Sequence, residues 1–402
     1  MKFALKTMKN RLSDWARNIS PSPTLAVDAK AKALKAAGKD VCGFGTGEPD
    51  FDTPAFIKDD CVKALMGGAT KYINSAGLPE LRSALADMYN EKKNLKDIKA
   101  ANMIVCPGGK FACYLSIMAV CGIGDEVIIP APYWVSYPEM AKLAGAKPVF
   151  VYSDDTTDFK PTVESIEKAI TPNTKLLILN SPSNPTGSVY TKDELKAIAD
   201  LAIKHDFFVL SDEIYENLVY DGITTQSIAS VSEEMQQRTI VASGFSKSYA
   251  MTGWRLGTVC APDDIAKAVA NLQSQTTSNA TTFAQYGALS AIKNADKAGE
   301  SIKAMLQKFD ERRRKMLAGL NAIDGITCNT PKGAFYLFPN ISAFKMSSSE
   351  FCSKLLEEEL MAIVPGVAFG ADNYVRFSYA VSDTVIEKGL ERIARFCARL
   401  GK

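Results

Sequence analysis

The 402-residue chain contains a single histidine, His205, and its nine cysteines are scattered without any Cys-x-x-Cys pair. That combination leaves neither a zinc site of the usual Cys/His spacing nor a disulfide framework, and it fits reduced thiols in a cytoplasm. No metal is expected. No apolar run approaches the roughly 20 residues that a membrane-spanning helix requires. Charge of one sign is lacking too: 47 Lys and Arg against 45 Asp and Glu leave +2. No global field therefore draws the chain to nucleic acid or to an anionic membrane, and any anion must be captured locally. The start, Met1 to Ser20, carries Lys2, Lys6, Lys9 and Arg11 but also Asp14, and it has no continuous apolar stretch, so a secretory signal is not expected. Internal repeats and low-complexity linkers are absent.

What is present is an ordinary globular composition, 47% hydrophobic and 23% charged. The length exceeds the size at which single cores stop growing, so two packed domains are expected. From Met103 the chain repeats a short apolar run, a small-residue or Pro-rich turn, and a stretch with helical spacing. The runs are Met103–Cys106, Glu126–Pro130, Pro148–Tyr152, Leu176–Asn180, Phe207–Ser211, Thr239–Ser243 and Thr258–Cys260. Near-continuous apolar strands imply an α/β fold whose mostly parallel sheet is covered on both faces. Before the sheet lies the turn-rich segment Gly43–Asp50; after it, Ala298 to Lys315 reads as a long amphipathic helix. Residues 56–297 are assigned to a large domain, and residues 1–55 with 298–402 to a smaller α+β domain formed by both ends.

Ligands of open α/β sheets bind beyond the carboxyl ends of the strands. The polar residues there are Gly108-Gly109-Lys110, Tyr133-Trp134, Asn184 in Asn-Pro-Thr-Gly, Asp212 and Tyr215 in Ser-Asp-Glu-Ile-Tyr, Lys247 in Gly-Phe-Ser-Lys-Ser, and Arg255. The glycine pair sits between a strand and a helix beginning near Phe111, which points backbone N–H groups at a phosphate. Taken alone, a tight strand-to-helix turn explains the pair as well. Lys247 follows a strand, where a partly desolvated amine can lose its proton as Schiff-base chemistry requires. Arg255, eight residues on, can give two parallel bonds to a phosphate.

The run Ser243-Gly-Phe-Ser-Lys247-Ser-Tyr-Ala-Met-Thr-Gly-Trp-Arg255-Leu-Gly resembles the cofactor-attachment motif of class I aminotransferases of fold type I. The resemblance extends from Pro21-Ser-Pro-Thr24 through Gly47–Pro54, Asn184-Pro-Thr-Gly, Asp212-Glu-Ile-Tyr215 and Gly333-Ala-Phe-Tyr to Arg376-Phe-Ser-Tyr, covering nearly the whole chain. The subgroup most similar is the bacterial-type aspartate aminotransferases, which includes prephenate aminotransferases. This resemblance implies a seven-stranded sheet and pyridoxal 5′-phosphate (PLP) bound as a Schiff base on Lys247. It also implies ping-pong transfer of an amino group between aspartate or glutamate and oxaloacetate or 2-oxoglutarate.

Residue by residue, the resemblance implies that Asp212 bonds the pyridine nitrogen, that Tyr215 and Asn184 bond the phenolic oxygen, and that Trp134 stacks on the ring. Gly109, Lys110, Ser246, Arg255 and Tyr72 of a second subunit hold the phosphate, so a homodimer with shared sites is implied. Gly244 departs from members that place a phosphate-binding serine there, leaving Ser243 or Ser246 to substitute. Freed Lys247 moves the proton between Cα and the cofactor. Arg376, helped by Gly47, clamps the substrate α-carboxylate. The arginine that some relatives supply for a second carboxylate is absent, since residues 268–292 hold no Lys or Arg; Lys110 takes that role. Thr24 with Lys110 accompanies prephenate use in family members, whereas Ser20 stands where many relatives have Lys. An aminotransferase or lyase for neutral or aromatic amino acids is the remoter alternative, and a non-catalytic PLP-binding module is disfavoured because no DNA-binding segment accompanies the site.

Overall fold

A computed structural model describes residues 11–21 and 23–401. The basic start, Met1–Lys9, and Ser22 of the Pro-Ser-Pro-Thr segment lie outside the described residues.

After a short strand β1 (Cys42–Gly43), the seven apolar runs are strands: β2 (Met103–Cys106), β3 (Glu126–Ala131), β4 (Lys147–Tyr152), β5 (Thr174–Asn180), β6 (Phe208–Asp212), β7 (Thr239–Gly244) and β8 (Gly257–Cys260). They form one sheet in the order β2-β8-β7-β6-β5-β3-β4. All run parallel except β8, which is antiparallel to both neighbours. Successive side chains of a strand face opposite ways, and here both faces are covered. Val127 and Ile129 enter one core with Leu176, Ile178, Leu210 and Ile240, while Ile128 enters another with Leu177, Leu179 and Val209. This double burial is why the strands read as unbroken apolar runs.

The remaining strands are β9 (Tyr336–Leu337), β10 (Met361–Ala362), β11 (Val364–Pro365) and β12 (Val375–Ser378). β10 pairs in parallel with β1, so the segment before the large sheet is stitched to the one after it. β12 lies between β11 and β9, antiparallel to both. These small sheets share a core rich in aromatics, including Phe44, Phe309, Phe335, Phe351, Phe377 and Phe396, which also takes in Tyr215 and Tyr220 from the loop after β6. The amphipathic helix runs over Ala295–Asn321, longer at both ends than the sequence reading, because its apolar stripe of Ala298, Met305, Phe309, Met316 and Leu320 outlasts Lys315. Strand order reverses between β5 and β3, and this switch point opens toward the small sheets.

Candidate active site

A cavity of about 460 Å³ lies at the carboxyl ends of β5, β6 and β7. Its wall brings together Thr24, Gly47, Gly109, Lys110, Trp134, Asn184, Asp212, Tyr215, Ser246, Lys247, Arg255 and Arg376, residues spread over the whole chain. Tyr72 does not join them; it is 86% exposed on the outside of the chain.

The floor is set by β6 and β7. Asp212 ends β6, is buried, and has no cation within ion-pair distance among the described residues. Burial raises the pKa of its carboxyl. Opposition comes from hydrogen bonds donated by the Tyr137 hydroxyl (2.7 Å) and the Ile214 N–H (3.2 Å). Lys247, three residues beyond β7, donates from Nζ to the Gly47 carbonyl at 2.5 Å. Burial, then the positive Arg376 and Arg255, depress its pKa from 10.5 to about 8, against the pull of Glu48 and Asp212. The neutral amine is the nucleophilic form, and the lowered pKa makes more of it available than an ordinary lysine offers.

One end of the cavity is a cradle. Gly108 adopts φ +91°, and a side chain there would run into the Arg255 guanidinium, so the guanidinium packs against bare backbone at the start of the helix Gly109–Val120. Free N–H groups, a helix N-terminus and a guanidinium facing one space suit a dianion. Ser246 lines this space, but Ser243 turns away and donates to Glu216 Oε1 (3.0 Å). Gly244 is enforced sterically: a Cβ would lie 2.8 Å from the Leu256 carbonyl oxygen and 2.9 Å from Gly257 Cα. Of the two serines expected to substitute there, only Ser246 lines the cavity.

At the opposite end Arg376, in β12, is 2% exposed. Its terminal nitrogens donate to Asn184 Oδ1 (2.9 Å) and the Gly45 carbonyl (2.7 Å), while Nε has no partner. Among the described residues no carboxylate pairs with it. A buried guanidinium without an anion is costly unless a ligand supplies one. Its plane lies over the Tyr336 ring, with the guanidinium carbon 4.5 Å from the centroid. Lys110 Nζ sits 5.2 Å from the Trp134 ring centroid, and burial followed by Arg255 lowers its pKa.

Sequence reasoning missed Tyr336, Tyr137, Asp28, Lys32 and Glu48, which also line the cavity. Tyr336 stood in the quoted Gly-Ala-Phe-Tyr run and Glu48 in the quoted Gly47–Pro54 run, neither with a role; the other three carried no local signal.

The donor set fits PLP: an amine of lowered pKa, a buried carboxylate lacking a cation, an aromatic wall and an anion cradle occupy one cavity. Residues 39–393 match the family model for aminotransferases of class I and II. The aspartate aminotransferase of Bacillus subtilis is 46% identical over 391 residues, covering 96% of this chain and 98% of that protein. The aspartate/prephenate aminotransferase of Cereibacter sphaeroides is 43% identical over 400 residues, covering 97% and 99%. The aspartate aminotransferase of Thermus thermophilus, solved with maleate, superposes with a TM-score of 0.93 at 41% identity over 96% of this chain and 99% of that one. Matched over nearly its full length by sequence and by fold, the chain belongs to the class I and II aminotransferases.

Proposed function

We propose that this enzyme transfers the amino group between L-aspartate or L-glutamate and the corresponding 2-oxo acids, with PLP held at Lys247. The carrying observation is Arg376, buried, cationic and without a carboxylate partner among the described residues, across the cavity from Lys247. When bound, PLP supplies the electron sink that stabilises negative charge at the substrate Cα. The protein does the rest. Arg376 orients the α-carboxylate; Asp212, Tyr215, Asn184 and Trp134 hold the ring; Gly109, Lys110, Ser246 and Arg255 hold the phosphate. In its neutral form the Lys247 amine would accept the substrate's Cα proton at Nζ, acting as the general base. Lys110, from the wall beside Trp134, receives the second carboxylate of an acidic substrate.

Thr24 and Lys110 lining the same cavity favour prephenate as a further amino acceptor, in keeping with the relatives named for both activities. The same proposal includes a homodimer, in which exposed Tyr72 serves the partner's phosphate. The segment bearing Tyr72 is pinned by Thr282 Oγ1 donating to the Lys71 carbonyl (2.8 Å) and by Gln273 Nε2 donating to the Ser75 carbonyl (2.5 Å). The parallel pairing of β1 with β10 supports dividing the chain into residues 56–297 and a small domain of 1–55 with 298–402. Among the described residues no helix is long and apolar enough to cross a membrane; a cytoplasmic location is proposed because the nine cysteines are all free thiols.

The test is a single turnover of holoenzyme with aspartate, glutamate, alanine, tyrosine and arogenate, followed by the visible absorbance of the lysine-bound cofactor. Rapid bleaching by aspartate and glutamate, slowed about 10–100-fold in Lys110→Ala with alanine little affected, supports the reading, that factor being the loss of one charged hydrogen bond. Bleaching by neutral or aromatic amines alone refutes acidic specificity, and absence of any visible band refutes the cofactor.

A further inference from the structure

Asp212 meets the cavity with its carboxylate already gripped from behind. Oδ2 accepts from the Tyr137 hydroxyl at 2.7 Å and from the Cys113 thiol at 3.4 Å, and Oδ1 accepts from the Ile214 N–H at 3.2 Å. Both side-chain donors are almost wholly buried, Tyr137 at 2% and Cys113 at 1% exposure. We infer that Tyr137 and Cys113 are positioning residues that clamp Asp212 and keep its negative charge available to the cofactor's ring nitrogen. The inference rests on the proposed cofactor role of Asp212.

Their placement explains how two helices can register both ends of one ligand. Gly109 opens the helix Gly109–Val120 at the phosphate cradle, and Cys113 lies one turn further on the same face. Trp134 walls the cavity, and Tyr137 opens the next helix, Tyr137–Leu143, with its ring edge against Trp134 (centroids 5.2 Å apart). A shift of either helix would therefore disturb Asp212 together with the groups around the phosphate or the ring.

Burial alone would drive a proton onto Asp212, and neighbouring Glu213 adds to that tendency; the three donors counter it. Lys247 and Tyr215 line the same cavity and feel the charge of Asp212, and Cys106 acts electrostatically on Cys113. Burial and the adjacent Asp212 push both the Cys113 thiol and the Tyr137 phenol upward, so each keeps the hydrogen it donates. A thiol is a weak donor and a hydroxyl a stronger one, which makes Cys113→Ser a conservative replacement and Cys113→Ala a deletion.

The experiment compares holoenzyme of Tyr137→Phe, Cys113→Ala, Cys113→Ser and Asp212→Asn by two readouts, the rate of cofactor release and the pH midpoint of the visible band. Losing a hydrogen bond to a charged group corresponds to roughly a tenfold change or more. Tyr137→Phe is expected to release cofactor about tenfold faster and to raise the band's midpoint, because a carboxylate that holds its proton more tightly leaves less positive charge on the ring. Cys113→Ala is expected to move both in the same direction by less, with Cys113→Ser restoring them. Unchanged release and midpoint in both Tyr137→Phe and Cys113→Ala overturn the clamp. Should Tyr137→Phe not fold, the Cys113 pair decides: serine behaving like alanine overturns the role. An Asp212→Asn variant indistinguishable from the parent shows instead that the cofactor role of Asp212 is wrong, a failure separate from that of the clamp.

Discussion

The hydroxyls of Tyr215 and Tyr336 lie 2.7 Å apart, both fully buried. Tyr215 stands three residues beyond Asp212, and Tyr336 carries the Arg376 guanidinium on its ring. This pair joins the groups proposed for the cofactor to the group proposed for the substrate carboxylate. Its geometry predicts that Tyr336→Phe lowers kcat/KM for aspartate about fivefold, the size of one neutral hydrogen bond of about 1 kcal/mol. Steady-state kinetics check it; an unchanged kcat/KM shows that the bond does not matter to the reaction.

Lys247 gives a pH prediction with a definite sign. Burial favours its neutral form and places its pKa at about 8 instead of 10.5. Cofactor-stripped enzyme should combine with added PLP at a rate that rises through a midpoint near pH 8 and levels off above it. Arg376→Met removes one of the positive charges that depress the pKa, so its midpoint moves up. A wild-type midpoint above pH 10 contradicts the desolvated amine.

Gly244 is predicted to resist the serine that relatives place there. Its Cβ would press on the Leu256 carbonyl and Gly257 Cα, so Gly244→Ser should cost about 1–3 kcal/mol of stability, as overpacking does. Thermal unfolding reads the loss. A stable Gly244→Ser enzyme that releases cofactor more slowly would show that the strand can yield and that Ser246 alone is an incomplete substitute.

Behind the sheet ends, Lys93 pairs with Glu213 Oε2 at 2.5 Å and with Glu216, all three largely buried. Ser243 adds a bond to Glu216. Lys93→Met leaves two buried carboxylates without their cation, and removing one partner of a buried pair costs about 3–5 kcal/mol. Denaturant unfolding is the measurement. A triple change that also makes Glu213→Gln and Glu216→Gln should recover part of the loss, because the penalty lies in the stranded charge.

The seven strands of the large sheet were legible in the sequence because double burial writes them as unbroken apolar runs. The Gly108 turn and the Lys247 run were legible because a glycine pair between an apolar strand and a helix, and a lysine followed at fixed distance by an arginine, are local patterns. Which of Ser243 and Ser246 meets the cavity was not. Ser243 turns toward Glu216 while Ser246 reaches the cavity, a choice made by the neighbouring strand and by Glu216. Tyr137 and Cys113 reach Asp212 across 75 and 99 residues, and Tyr336 reaches Tyr215 across 121. No spacing in the chain announces such contacts, because they depend on sheet order and on how the small sheets seat against the large one. The sequence by itself therefore determined the strands of the large sheet and singled out Lys247 among the lysines. Only the tertiary structure decided which buried groups surround it, since hydrogen bonds between distant residues are made by packing and not by local propensity.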